Sequence, residues 1–249
     1  MGTSQGPKAL ARNLHVTLAN HKGPVHVARY AKGIAKYVLT GGQDRTVRLW
    51  NPTLGTEIKV YAAHGYEVLS LCVAQNRQAI QVLDEARDAV QTLHISHGTI
   101  MTGSVDGYVR TYDLRMGQLR SDFIGHPVTS VIPTQDGQSY LVTTLDSHVR
   151  LMDASTGTLL NDFTGHSVKE YRCRSCFGHG EASVICGDEN GMVWAWDLLD
   201  AKPLPPNPPP KVHDKVIMWV EHHPVDDNEM ITAGGDGVVK VWRHPDSTG

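Results

Sequence analysis

Five times along the chain a turn-forming residue stands six positions ahead of a bulky side chain, and that repeated offset constrains the fold more than any other feature. The segments are TGGQDRTVRLWN (40 to 51), TGSVDGYVRTYD (102 to 113), TTLDSHVRLMD (143 to 153), CGDENGMVWAWD (186 to 197) and AGGDGVVKVW (233 to 242). Their turn residues are Asp44, Asp106, Asp146, Asn190 and Asp236, and their bulky ends are Trp50, Tyr112, Met152, Trp196 and Trp242. Small residues on both sides of the turn, followed by period-2 alternation as in Val47-Arg48-Leu49-Trp50, predict a β-hairpin in each copy. Upstream of each lies a short run rich in β-branched residues, VHVARY, AVQTLHI, VTSVIP, VKEYRC and VIMWVEHH, that predicts an inner strand. Downstream, a turn leads into an outer strand, as in TGTLLNDFTGH (156 to 166). Four short antiparallel strands cannot bury both faces alone, so the units must stack around an axis as the blades of an all-β propeller.

The last copy ends the regular chain at VVKVW and so lacks an outer strand, which Leu14 to Ala19 is placed to supply. Pairing the two ends would remove sheet edges that otherwise template aggregation. A single propeller over residues 14–243, with tails at 1–13 and 244–249, is therefore expected.

Composition excludes several functions. A net charge of -3, with lysines and arginines scattered, offers no basic field for sequence-independent nucleic-acid binding, so RNA contact would be local. Four cysteines in 249 residues do not make a disulfide framework, which points to a reducing compartment. No run of 18 apolar residues spans a bilayer, and the N-terminus lacks the apolar core of a signal peptide, so a soluble intracellular protein is expected. The chain shows no nucleophile elbow, no phosphate-cradling glycine loop and no paired carboxylates outside turns, so neither a catalytic residue nor a cofactor nor a small-molecule substrate is assigned. Cys173-Arg-Ser-Cys176 with His179 lacks a second ligand pair and is taken as ordinary strand and loop; no metal is assigned. Lys202-Pro-Leu-Pro-Pro-Asn-Pro-Pro-Pro-Lys211 is a loop in either of two roles, a stiff surface linker or a polyproline helix offered to an aromatic groove.

The repeat resembles that of the WD40 family, which joins a Gly-His pair to a terminal Trp-Asp. Gly125-His126 and Gly165-His166 match the first element, and His21, His64 and His213 stand in its place without the glycine. Trp196-Asp197 is the full Trp-Asp; Trp50-Asn51, Tyr112-Asp113 and Met152-Asp153 are degenerate. The resemblance covers the chain after about residue 13 and implies a rigid, non-catalytic interaction platform. Physical chemistry suggests why these residues recur. A turn Asp can accept backbone N–H groups and a His ring, which is held in turn near a Thr and an indole donor. The expected networks are His21, Thr40, Asp44 and Trp50, and likewise His213, Thr232, Asp236 and Trp242, with Asp106, Asp146, Asn190 and Trp196 in equivalent places.

Stretches that the repeat itself does not demand, among them QVLDEARDAV (81 to 90) and GSVDGYVRTYDLRMGQL (103 to 119), are similar to one branch of the family. That branch organises mitogen-activated-protein-kinase cascades and is counted among spliceosome components. It implies a scaffold subunit of a multi-protein complex, in nucleus and cytoplasm, acting in pre-mRNA splicing or, alternatively, in a kinase cascade. Many WD propellers also recruit substrates to ubiquitin ligases. The branch has seven blades, and here the departure is informative. Successive bulky ends lie 62, 40, 44 and 46 positions apart, and the first interval is one and a half blades. An inner strand is expected at 67 to 73 and an outer strand at 80 to 83, with about two blades' worth of strands missing near 74–81. Either five complete blades close with a hybrid sixth, or the sequence is a shortened form.

Candidate partner contacts lie where outer strands turn into the next inner strand. They are Tyr66 and Glu67 in HGYEVL, Asp84, Glu85 and Arg87 in LDEARD, and Glu170, Tyr171 and Arg172 in VKEYRC. Exposed Tyr and Arg are frequent energetic anchors of interfaces.

Overall fold

A computed structural model describes residues 13–31, 36–62, 66–69, 85–96, 98–226 and 228–243. Asp84, His64, the strand expected at 80 to 83, most of that expected at 67 to 73 and nearly all of both tails lie outside the described residues.

The protein is all-β, built from antiparallel propeller blades. Its residues group into two compact units, 1–73 with 176–249, and 74–175. In the first unit, β1 (Asn13–Leu18) is followed by the sheet β2 (Val25–Tyr30), β3 (Val38–Gly42), β4 (Val47–Asn51) and β5 (Thr56–Tyr61), paired in chain order. The second unit holds two such sheets. One is β6 (Val90–Ser96), β7 (Thr99–Ser104), β8 (Tyr108–Asp113) and β9 (Gln118–Phe123); the other is β10 (Val128–Pro133), β11 (Ser139–Thr144), β12 (His148–Asp153) and β13 (Leu159–Phe163). A three-stranded sheet follows, β14 (Ser175–Phe177), β15 (Ser183–Gly187) and β16 (Val193–Asp197). The chain closes with β17 (Ile217–His222), β18 (Glu229–Gly234) and β19 (Val239–Arg243), to whose free edge β1 adds in the order β1-β19-β18-β17. Leu14 faces Trp242 and Leu18 faces Val239, so the chain's beginning supplies the outer strand its end lacks.

Period-2 alternation places the core. In the first unit Ala28, Tyr30, Val38 and Trp50 pack in one buried cluster with Trp219, Ile231, Ala233, Val239, Val241 and Leu18. In the second, Met101 and Val109 pack with Val128, Val131, Tyr140, Val142 and Met152. Each such cluster joins the side chains of one blade to those of the next, and burying a large aliphatic or aromatic side chain contributes about 1.5–3 kcal/mol.

One expectation is corrected. Residues 168 to 173 do not form an inner strand; that role falls to the three residues of β14. Lys169, Glu170 and Arg172 cannot all be buried in an inner strand, and the segment satisfies its backbone elsewhere: Ser147 bonds the N–H and C=O of Val168, and Thr129 Oγ1 donates to the C=O of Cys173. The Pro-rich stretch is a surface loop, as expected, and one tied to its own blade. It runs along the outer edge of β16, where Leu204 N–H donates to Ala195 C=O and Val193 N–H donates to Pro210 C=O, in the place of a fourth strand. Prolines carry no N–H, so an edge lined by them cannot template further pairing.

Candidate functional site: the loops ahead of the inner strands

In the β2–β5, β6–β9, β10–β13 and β17–β19 blades the turn between the second and third strands contacts the loop that leads into the inner strand. In the β2–β5 blade His21 Nδ1 lies 3.0 Å from both oxygens of Asp44, its Nε2 lies 2.7 Å from Thr40 Oγ1, and Trp50 Nε1–H donates to that same hydroxyl at 2.8 Å. With a neutral ring the directions run from indole N–H to hydroxyl oxygen, from hydroxyl O–H to His21 Nε2, and from Nδ1–H to the carboxylate, which uses every donor. Burial favours that neutral form, lowering the His21 pKa despite the adjoining carboxylate. Burial would raise the Asp44 pKa, but bonds from Thr46, the Lys22 N–H and His21 outweigh it and bring the value to about 2. His213, Thr232, Asp236 and Trp242 repeat this arrangement at 2.9, 2.7 and 2.9 Å for its three links. The N–H groups of Lys22 and Asp214 each donate to the turn carboxylate, so both loops are fixed to their own blades.

The other blades solve the same problem differently. Asp106 holds the Arg87 N–H at 2.9 Å and pairs with Arg110 at 2.8 Å; burial raises its pKa, but the Arg110 and Ser104 donors keep it well below the usual carboxylate range. Asp146 pairs with Arg150 and receives the Thr144 hydroxyl, while His126 stands 3.5 Å away and half exposed; burial would raise the Asp146 pKa, but the Arg150 and Thr144 donors hold it at about 2. The expectation for Asn190 is corrected: its side chain is exposed, and the turn acceptor is the fully buried Asp188. Asp188 takes the N–H groups of Asn190 and Met192 and the indole N–H of Trp194 at 3.0 Å, while Trp196 lies buried and stacked on Trp194. A signal for this was present in the sequence. Arg48, Arg110 and Arg150 each follow their acid by four positions, and Trp194 occupies that same place, where a guanidinium is replaced by an indole that reaches a different acid.

Against these anchors the candidate contacts are placed as follows. In the first unit Tyr66 is 89% exposed, and the Glu67 carboxylate sits 3.0 Å from His26 Nε2, whose Nδ1 meets Met218 Sδ at 3.2 Å. In the second unit Glu85 accepts the Tyr112 hydroxyl at 2.9 Å; burial and this neighbour push the Tyr112 pKa to about 12. Arg87 is exposed above the Asp106 turn. Arg172 reaches Gln91 Oε1 at 3.0 Å, which brings it to the start of β6, four residues past Arg87. Glu170 is exposed beside it, and Tyr171 is 46% exposed. Arg87, Glu170, Tyr171 and Arg172 thus share one end of the β6–β9 blade on an anchored backbone. The part played by Gln91 and His26 as their internal partners was not read from sequence, because cross-strand neighbours depend on register.

The WD domain, G-beta repeat, family model matches residues 13–51. WD repeat domain-containing protein 83 of Rattus norvegicus is 30% identical over 301 aligned positions, covering 94% of this chain and 93% of its own length. Its Homo sapiens counterpart is 33% identical, covering 95% and 94%. An uncharacterized WD repeat-containing protein of Schizosaccharomyces pombe is 30% identical, covering 86% and 93%. The first alignment runs over 301 positions, 52 more than the 249 residues of this chain, so the relative carries at least one blade's worth of residues without a counterpart here. Among solved structures, the computationally designed Ika4 protein superposes with a TM-score of 0.56 at 24% identity over 68% of this chain and 100% of its own, a likeness of fold. With relatives at this identity along nearly its whole length, the chain belongs to the WD-repeat family, whose propellers are typically non-catalytic and mediate protein–protein interactions.

Proposed function

We propose that the protein is a scaffold subunit of a multi-protein complex acting in pre-mRNA splicing, present in nucleus and cytoplasm, that binds protein partners through the loops ahead of its inner strands. The contacts proposed are Tyr66 and Glu67 in one unit and Glu85, Arg87, Glu170, Tyr171 and Arg172 in the other. The observation that carries this is the anchored cluster at the β6–β9 end. Tyr171 and Arg172 are offered by a backbone already ordered through Ser147 and Thr129, so little conformational entropy is lost on binding. Splicing is favoured among scaffold roles because the off-motif segments DEARD and DLRMGQL resemble the branch counted among spliceosome components. With no basic field on the chain, any RNA contact is local or goes through the partner proteins.

Affinity purification from nuclear extract tests the proposal. Splicing proteins and small nuclear RNAs are expected to be recovered and to survive nuclease treatment; kinases alone, or cullin-family partners, would transfer the role to a kinase cascade or a ubiquitin ligase. Replacing Tyr171 and Arg172 by Ala is expected to weaken capture at least tenfold while the thermal transition stays within a few degrees.

A further inference from the structure

Antiparallel pairing puts the turns between first and second strands, and between third and fourth, at the end of a blade opposite the loops ahead of the inner strands. In the second unit three such turns meet around a cavity of about 370 Å³, at the junction of β6–β9 with β10–β13. Ser96 and Thr99, on either side of the β6–β7 turn, line one wall with Thr111. Asp136, in the β10–β11 turn, and Ala154, after β12, line the other. Met101, a member of this unit's buried cluster, closes the inner side. The two blades are clamped together beside the cavity, where Asp122 accepts the Tyr140 hydroxyl at 2.7 Å and Arg120 donates to the C=O of Ala154. Every wall belongs to residues 74–175, so the cavity is formed within one unit.

Charges of opposite sign stand on its two sides. Arg115 lies across Gly98, where an added Cβ would come within 3.2 Å of its Nε, and so covers the turn that carries Ser96 and Thr99. On the other side Asp136 Oδ1 accepts the Thr134 hydroxyl at 2.6 Å and the Gln138 N–H at 2.9 Å. These donors lower its pKa, so the carboxylate is charged at neutral pH, and among the described residues no side chain donates to its Oδ2. Leu114 and Met116 flank Arg115 in the same turn and are 55% and 67% exposed, and the Leu114 N–H donates to the Gly98 C=O at 2.9 Å. This turn is the DLRMG segment, whose side chains the repeat itself does not demand.

We propose that this cavity is a second binding site, which takes a short extended segment of a protein partner and receives one aliphatic or aromatic side chain with an acidic residue on one side and a basic residue on the other. The volume is near the lower end of the range of about 300–1,000 Å³ that ligand sites occupy, which suits a single anchoring side chain set against Met101. The acid answers Arg115 and the base answers Asp136. In an extended segment alternate residues share a face, so the two charges belong two positions to either side of the anchor. Leu114 and Met116 carry the apolar surface beyond the cavity, where a peptide reaches and a small molecule confined to the cavity does not. The site goes beyond the scaffold contacts at Tyr171 and Arg172, which lie with the loops ahead of the inner strands at the opposite end of the same unit.

Methionine-methyl NMR of the full chain tests this, with the Met101 signal identified through Met101→Leu. The probes are two capped peptides, acetyl-Glu-Gly-Leu-Gly-Lys-amide and acetyl-Lys-Gly-Leu-Gly-Glu-amide. One of the two is expected to move the Met101 methyl at concentrations up to about 1 mM, and to bind at least tenfold more tightly than the other or than its own form with Gly in place of Leu. Arg115→Glu is expected to weaken that peptide at least tenfold. The double variant Arg115→Glu with Asp136→Lys, whose altered side chains are both exposed, is expected to reverse the preference between the two peptides. A Met101 methyl that neither peptide moves, equal binding of the two, or a preference that Arg115→Glu leaves unchanged overturns the proposal. Replacing Tyr171 and Arg172 by Ala is expected to leave peptide binding intact, so failure of this site and failure of the scaffold reading are told apart.

Discussion

Replacing Asp44 by Ala probes the logic that holds the loops. The carboxylate of Asp44 receives His21 Nδ1–H, the N–H groups of Lys22 and Thr46 and the Thr46 hydroxyl. His21 is shut off from solvent at its side chain, so its Nδ1–H is left without an acceptor when the carboxylate goes, at about 1–3 kcal/mol. The partly exposed donors can turn to water and cost less. An independent magnitude comes from protonation. The folded pKa of about 2 against the ordinary 3.8 corresponds to about 2 kcal/mol favouring the charged form. Both routes converge on a loss of about 2–3 kcal/mol, a drop of roughly 5–10 °C in the melting of a protein of this size. Because the folded pKa is depressed, the charged carboxylate contributes fully above about pH 4, and its contribution is lost as pH falls toward 2. Urea unfolding of wild type and Asp44→Ala at pH 7 and near pH 2 measures both effects: the gap between the two proteins is expected to shrink at the acid end, with partner capture retained at pH 7. A variant within about 0.5 kcal/mol of wild type at pH 7 would refute the network as a stabilising element.

Other outcomes follow from the same geometry. Thr40→Val and Thr232→Val each break the link from indole to imidazole, and each is expected to cost about 1–3 kcal/mol by chemical denaturation, the two adding because they lie in separate networks. Arg45 occupies the left-handed region, φ 61°, at a position filled by glycine in three of the other turns, so Arg45→Gly is expected to stabilise the protein by up to about 1 kcal/mol in the same assay. The Tyr112 hydroxyl, raised to about 12, contributes stability that is present below pH 10 and lost as pH rises toward 12; an ultraviolet titration is expected to lose one of its late tyrosinate steps, the one near pH 12, in Tyr112→Phe. Gly191, at φ 80°, lies against the backbone C=O of His213, so Gly191→Ala is expected to destabilise by more than 2 kcal/mol, seen as a lower melting temperature.

The blade pattern was legible in the sequence because it is local. A turn acid, a fixed offset and period-2 alternation lie within a dozen residues, and the hydrogen bonds they encode, such as Thr46 to Asp44, span two positions. The pairing of Asn13–Leu18 with Val239–Arg243 was legible too, since a last blade short of one strand and a spare strand at the start imply each other. What the local pattern could not decide was competition among equivalent local choices. Asn190 and Asp188 are both turn acceptors by type, and only the reach of Trp194 selects Asp188. VKEYRC alternates like a strand, yet Ser147 and Thr129 hold it as a loop through bonds to residues more than 20 positions away. A sequence states which side chains belong on a blade's face; whether another blade arrives to cover that face is a matter of tertiary structure, because burial is a property of the neighbour as much as of the residue.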